Sequence, residues 1–252
     1  MKTITITALL SLMCFTASAE VHTLDKAREA KTRSLNPEYL VFAPKTKSSQ
    51  DLPLLIYLHG GGGKGTDVRR IESQTRALRM GIDRFGKGPC IVVAPQTLKQ
   101  TKDGESGVWF PEDLNVLLEA LKATLPVDEN RVYLTGNSMG GYGSWVWGGT
   151  NPEHFAAIAP VVGGIGRNGP KDVTPNLDQW AKNLASVPLW AFAGAQDKVV
   201  PAERSERVVN AIKKTGGKLA RLTIYPDEGH GARRRVYEDK AFYDWMFSQR
   251  RK

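Results

Sequence analysis

The chain has 252 residues, 41% of them apolar, with 35 Lys and Arg against 26 Asp and Glu for a formal charge of +9. That is enough for one sizeable α/β domain, and no repeat or low-complexity tract interrupts it. The basic excess points to a solvated surface rather than a nucleic-acid partner: Lys and Arg are spread along the chain, and the densest group, Arg233-Arg234-Arg235, has neither interleaved aromatics nor a nucleic-acid motif around it.

The first element in chain order is "MKTITITALLSLMCFTASA", Met1–Ala19. Lys2 forms a short positive region, Ile4–Phe15 is apolar, and Ala17-Ser18-Ala19 reads as an A-x-A cleavage site. The expectation is a signal peptide over 1–19 and a single catalytic domain over 20–252, secreted or periplasmic. The stretch is short for a membrane span, and no later run of that kind appears. Met13 before Cys14 is too bulky for a typical lipobox. With Cys14 removed only Cys90 remains, so no intrachain disulfide is expected. In "PCIVVAP", Cys90 reads as a small buried hydrophobe.

Strand-length apolar runs follow: Tyr39–Pro44, Leu52–His59, Cys90–Pro95, Arg131–Gly136, Phe155–Gly163, Val187–Gly194 and Ala220–Pro226. Several are apolar on both faces, as parallel strands covered by helices require. Helical candidates alternate with them: Asp67–Met80, Pro111–Leu125, Met139–Thr150, Leu177–Ala185, Pro201–Lys214 and Lys240–Gln249. Pro111 and Pro201 suit first-turn positions, and Gly216-Gly217 ends the helix before it. The alternation predicts an α/β fold, a mostly parallel central sheet with helices on both faces and no separate lid domain. The least regular loops, Gln96–Phe110 and Gly163–Asn176, fall at carboxyl ends of strands, where such sheets bind ligands.

"TGNSMGGYG" holds Gly136-Asn137-Ser138-Met139-Gly140, a G-x-S-x-G between a strand and a helix. That context projects the Ser138 hydroxyl above the sheet, near the positive end of the next helix. A serine nucleophile needs a general base, and the base needs an orienting carboxylate. Of the four histidines, His22 lies near the start of the mature chain, His59 opens a glycine loop, and His154 sits in a surface connection. His230, in "YPDEGHG" after the last strand, is the best base. Asp197, in the turn after "LWAFAG", is the best carboxylate. Asp172 and Asp178 read as loop and helix-start residues, and Asp227 and Glu228 compete by proximity alone.

The order Leu58-His59-Gly60-Gly61, Gly136-Asn137-Ser138-Met139-Gly140-Gly141, Asp197, His230 resembles the α/β-hydrolase superfamily. "RVYLTGNSMGGYGSWVW" with "NPEHFAAIAPVVGG" is similar to secreted feruloyl and acetylxylan esterases and polyhydroxybutyrate-depolymerase-like proteins, often labelled peptidases or phospholipases. "VVPAERSERVVNAIKKTGG" and "FYDWMFSQ" extend the likeness over nearly all of the mature chain. Ala193 departs from the pattern, standing where similar sequences often carry histidine; disulfide cysteines of some relatives are absent too.

"HGGGGKGTD" invites a phosphate-loop reading, which fails twice: Leu58 stands where the leading glycine belongs, and Gly65 where Ser or Thr must bind magnesium. Gly60, Gly62 and Gly65 spell G-x-G-x-x-G, but no acidic residue ends the following strand. The loop fits an oxyanion hole better. Met139 N–H is expected as one donor and Gly61, or failing that Gly62, as the other. His59 is expected to brace the loop, and Lys64 to face solvent. Trp109 and Phe110 are candidates to line the substrate site, with packing under the loop as the other reading. Trp145 and Trp147 read as core.

These readings predict a secreted serine carboxylic-ester hydrolase acting on a small-molecule or polysaccharide ester, with acyl or feruloyl groups of plant polysaccharide as the candidate substrate. No cofactor is expected, and no metal, since there is no H-E-x-x-H or Cys/His cluster. The alternatives are a serine peptidase of the same fold and a non-catalytic carbohydrate-binding protein.

Overall fold

The computed structural model describes residues 19–44, 50–86, 88–165 and 176–251. All of the expected signal peptide but Ala19, and most of the Gly163–Asn176 loop with Asp172, lie outside the described residues. No described helix is long and apolar enough to cross a membrane.

Eight strands form one sheet: β1 (Glu20–Thr23), β2 (Leu35–Phe42), β3 (Leu52–Leu58), β4 (Ile91–Thr97), β5 (Val127–Asn137), β6 (Ala157–Val161), β7 (Leu189–Gly194) and β8 (Ala220–Tyr225). Their order is β1-β2-β4-β3-β5-β6-β7-β8. β1 and β2 pair antiparallel at one edge, and β2 meets β4 antiparallel. From β4 onward every pairing is parallel. The helices between are α1 (Lys26–Glu29), α2 (Glu72–Phe85), α3 (Pro111–Thr124), α4 (Met139–Thr150), α5 (Leu177–Asn183), α6 (Glu203–Lys214), α7 (Arg233–Tyr237) and α8 (Lys240–Phe247).

The central strands are apolar at consecutive positions because both faces are covered. On β3, Leu54, Ile56 and Leu58 share one core with Leu114 and Leu117 of α3, Trp145 of α4 and Ile212 of α6. Leu55 and Tyr57 point the other way, to Leu78 and Ile82 of α2, Val236 of α7 and Phe242 of α8. The period-2 alternation of strand side chains thus divides one apolar run between two cores. Cys90 is buried, and burial pushes its thiol up to about 12, so it acts as a hydrophobe.

Three expectations shift. The helix expected over Asp67–Met80 is a 3-10 turn (Val68–Ile71), capped by the Asp67 side chain, followed by α2 running on to Phe85; Met80 lies on its exposed face. β1 and the first half of β2 were not expected, because "EVHT" is polar and Pro37 interrupts the second run; β1 is an edge strand, and Pro37 falls where the register between β2 and β4 shifts, between Leu35 and Tyr39. α7 hid in "RRRVY", whose arginines stand on a helix that buries only Val236 and Tyr237.

Where α4 crosses β3 the two backbones nearly touch. A Cβ on Gly140 would lie 1.9 Å from the Leu58 carbonyl oxygen, and backbone cannot move aside as a side chain can. By contrast, a Cβ on Gly61 would meet nothing within 4 Å. Gly140→Ala is therefore expected to lower stability by about 1–3 kcal/mol or more, as overpacking does. Gly61→Ala should leave the unfolding free energy, read from urea denaturation, within about 0.5 kcal/mol of wild type. Equal midpoints for the two variants would contradict the close crossing.

Candidate active site

The site is assembled at the carboxyl ends of β3, β5, β7 and β8. Ser138 follows β5 directly and is the N-cap of α4. Its backbone lies at φ 55°, ψ −117°, a region side-chain-bearing residues rarely occupy and which costs on the order of 1–3 kcal/mol. The turn is held from both sides: Ser138 N–H donates to the Val161 carbonyl at 3.0 Å, and its own carbonyl accepts from Tyr142 N–H at 2.9 Å.

His230 and Asp197 come from two loops pressed together. Gln196 N–H donates to the Glu228 carbonyl at 2.9 Å, and Ala195 N–H to the Tyr225 carbonyl at 2.9 Å. Asp197 is carried in the turn after β7, and its side chain is 0% exposed. Its Oδ1 accepts from Val199 and Val200 N–H, each at 2.8 Å, and its Oδ2 lies 2.8 Å from His230 Nδ1. A carboxylate accepts only, so the imidazole carries its proton on Nδ1 and presents Nε2 as an acceptor. Ser138 Oγ is 2.9 Å from that Nε2, within reach for proton transfer. Asp227 and Glu228 face Arg235 instead, at 2.7 and 3.8 Å. The structure thus brings Ser138, His230 and Asp197 together as the sequence reading placed them.

The glycine loop folds over the nucleophile. A Cβ on Gly60 would sit 3.0 Å from Asn137 Nδ2 and 3.6 Å from Ser138 Cβ. Gly61–Gly63 form a 3-10 turn, and the N–H groups at the start of such a turn have no intrahelical acceptor. Gly61 and Gly62 hold those positions. Met139, first residue of α4, has the same free N–H beside Ser138. The Gly60 N–H is already committed to Gln74 Oε1 at 3.2 Å, which leaves the second donor between Gly61 and Gly62.

His59 braces this loop. Its Nδ1–H donates to the Gly60 carbonyl at 2.7 Å, and its Nε2 accepts from Thr97 N–H at 3.0 Å. Its ring meets Trp109 edge-on at 4.8 Å. Gln96 extends the support: its Nε2 donates to the Gly63 and Asp67 carbonyls at 2.8 and 3.0 Å, and its Oε1 accepts from Asn36 Nδ2 at 2.7 Å. On the sheet side, Tyr57 hydroxyl donates to Asn137 Oδ1. Gln74, Gln96, Asn36 and Tyr57 carried no sequence signal. Only the alternation that turns Tyr57 toward the second core hinted at one of them. Lys64 turns to Ser106 Oγ at 3.3 Å, away from the nucleophile's partners.

For Trp109 and Phe110 the structure shows packing under the loop, the second of the two readings given for them. They are 5% and 8% exposed. Trp109 Nε1–H donates to the His59 carbonyl at 3.2 Å, and the indole fills the space a Cβ on Gly143 would need. Phe110 precedes Pro111 of α3 and lies under the Arg33 guanidinium at 4.6 Å. Both pack under the loop. Among the described residues no group of three or more His, Cys, Asp or Glu is placed to hold a metal ion.

Residues 171–251 match the model of the prolyl oligopeptidase family. The chain is 31% identical over 109 residues to the Salmonella typhimurium protein named "Putative carboxymethylenebutenolidase", covering 41% of this chain and 37% of that one. It is 25% identical over 200 residues to "Probable feruloyl esterase C" of Aspergillus terreus, covering 77% of this chain and 67% of that one. The crystal structure of a thermostable esterase superposes with a TM-score of 0.72 at 28% identity, over 95% of this chain and 64% of that one. The chain thus spans little more than a third of the first relative's length and under two thirds of the thermostable esterase's.

Burial pulls His59 down to about 4, the Gly60 carbonyl opposing and Lys64 adding to the shift. The folded protein therefore keeps His59 neutral while the unfolded chain protonates it near 6.5. Its contribution is complete above pH 6.5 and is lost as pH falls toward 4, by on the order of 3 kcal/mol. Urea midpoints measured from pH 8 to 4 should fall in that window, and fall less steeply for His59→Asn, whatever the variant's absolute stability. Parallel profiles would show that His59 is protonated in the fold.

Proposed function

We propose that this chain, which has the α/β-hydrolase fold, is a serine carboxylic-ester hydrolase. The observation that carries the reading is the continuous relay from Ser138 Oγ through His230 to the buried Asp197 carboxylate. We further propose that the chain is exported and acts on acyl or feruloyl groups of plant polysaccharide. The leader-like Met1–Ala19 supports export, and the likeness to a feruloyl esterase over 77% of this chain supports the substrate class.

The chemistry follows from the geometry. Ser138 Oγ attacks the ester carbonyl carbon and its proton passes to His230 Nε2. Asp197 holds the Nδ1–H and stabilises the imidazolium that results. The carbonyl π electrons move to oxygen, where Met139 N–H and the Gly61 or Gly62 N–H stabilise the anion; a donor of this kind is worth about 3–4 kcal/mol. The tetrahedral adduct collapses, the C–O bond to the alcohol breaks, and the alcohol leaves with the proton from Nε2. Water, losing its proton to His230, then attacks the acyl-enzyme and releases the acid. The strained Ser138 backbone serves this sequence because it keeps Oγ clear of its own helix and aimed at His230.

A second reading keeps the triad and cuts peptides; the prolyl oligopeptidase family match over residues 171–251 favours it. That segment holds Asp197 and His230 but not Ser138, and amide cleavage demands efficient protonation of an amine leaving group. A carbohydrate-binding role without catalysis leaves the relay without purpose.

Short-chain p-nitrophenyl esters, acetylated xylan and methyl ferulate, assayed beside peptide p-nitroanilides, separate these readings. Ester turnover should exceed amide turnover. Ser138→Ala should lower kcat by about 10⁴ or more, and Asp197→Asn by about 10⁴, since the latter leaves the imidazole in the wrong tautomer. Activity that survives Ser138→Ala sinks the assignment of the nucleophile; amide cleavage outpacing ester cleavage favours the peptidase.

A further inference from the structure

A buried cation and a buried hydroxyl close to the triad have no hydrogen-bond partner among the described residues. Arg204, at the start of α6, is 8% exposed. Its Nε and Nη1 are shielded from solvent and donate to no acceptor. Among the described residues its nearest opposite charge, Glu203 Oε2, is 3.7 Å from Nε, too far for a hydrogen bond. The Tyr142 hydroxyl is shielded and unpartnered in the same way.

The backbone brings these two groups to one side of Ser138. Tyr142 lies one helical turn after the nucleophile and donates its N–H to the Ser138 carbonyl. Gly163 and Gly164, just beyond β6, run between α4 and α6. A Cβ on Gly163 would be 2.7 Å from Tyr142 N, and one on Gly164 would be 2.3 Å from Arg204 Cβ. Ser205 Oγ–H fastens α6 to the same segment by donating to the Gly163 carbonyl at 2.9 Å. The electrostatics agree: burial raises the Tyr142 phenol, Arg204 opposes the rise, and Asp197 adds to it, so the hydroxyl feels both charges. Asp197 is not the partner Arg204 lacks: its oxygens serve Val199, Val200 and His230, and no ion pair or hydrogen bond joins it to Arg204. In sheet order, the glycine loop follows β3 on one side of β5, and Arg204 lies against Gly164, which follows β6 on the other.

Removing a guanidinium and a hydroxyl from water without partners is unfavourable, and native proteins leave few such groups unexplained. The guanidinium fork offers parallel N–H donors that match a carboxylate, and the phenol adds a third donor. We propose that Arg204 and Tyr142 form a carboxylate-binding subsite flanking Ser138, so that the preferred ester carries a free carboxylate close to its scissile bond. This selects the substrate class and rests on the hydrolase reading above.

Matched substrates test it. p-Nitrophenyl adipate monoester against p-nitrophenyl hexanoate places the carboxylate on the acyl side, and 4-carboxyphenyl acetate against 4-carbamoylphenyl acetate places it on the alcohol side. In at least one pair, kcat/KM for the charged ester should exceed that for the neutral ester by about tenfold, roughly the effect of one charge-assisted hydrogen bond. Arg204→Gln and Tyr142→Phe should each lower that ratio several-fold, and Arg204→Lys should retain part of it. Tyr142→Phe keeps the ring packing and guards against a variant that fails to fold. Binding is read independently as the Tm shift that adipate or benzoate produces in Ser138→Ala, expected to vanish when Arg204→Gln is added. No charge preference in either pair, ratios unchanged in both variants, or no carboxylate-dependent Tm shift overturns the subsite. No turnover of any ester with the Arg204-dependent Tm shift intact overturns the hydrolase reading while supporting carboxylate binding.

Discussion

The arrangement depends on one strained turn. Ser138 sits at positive φ between β5 and α4, and it stays there because neighbouring backbone leaves it no other place. α4 approaches β3 until Gly140 almost touches the Leu58 carbonyl, and the Val161 carbonyl of β6 takes the Ser138 N–H. Three adjacent parallel strands therefore determine the position of one hydroxyl. Strain of a few kcal/mol persists only where the surroundings over-determine it, and here the central sheet with its two apolar cores does so.

The glycine loop after β3 is supported differently, by uncharged hydrogen bonds in series. Asn36 holds Gln96, Gln96 holds Gly63 and Asp67, His59 ties Gly60 to Thr97, and Gln74 takes the Gly60 N–H. Glycine backbone is flexible by nature, and these contacts remove that freedom while leaving the first N–H groups of the 3-10 turn unspent. A neutral His59 suits the task, since one ring nitrogen must donate and the other must accept.

Much of this was legible in the amino-acid sequence. Ser138, Asp197 and His230 each end an apolar strand run in a glycine-bearing turn, and strand order turns that pattern into proximity. The strain at Ser138 is likewise implied by the small residues around it. What could not be read was side-chain connectivity across the sheet. Gln74, Gln96 and Asn36 look like ordinary polar residues, and only the pairing of β4 with β3 on one side and β2 on the other, with α2 packed beside them, puts them at one loop. Trp109 and Phe110 stayed open between substrate contact and packing because aromatics in an irregular loop have no periodicity to show which face they occupy. The start of α2 was misplaced because a 3-10 turn and an α-helix share their capping signals.

The relay spans the chain in a way that bears on its biosynthesis. Ser138 and His230 are 92 positions apart, and the imidazole is delivered only by the loop after β8, the last strand and an outer member of the sheet. On the hydrolase reading proposed above, Ser138 has no base to take its proton until β7 and β8 are in place. A chain still being made, or one whose final strand has come away, would then hold its serine silent.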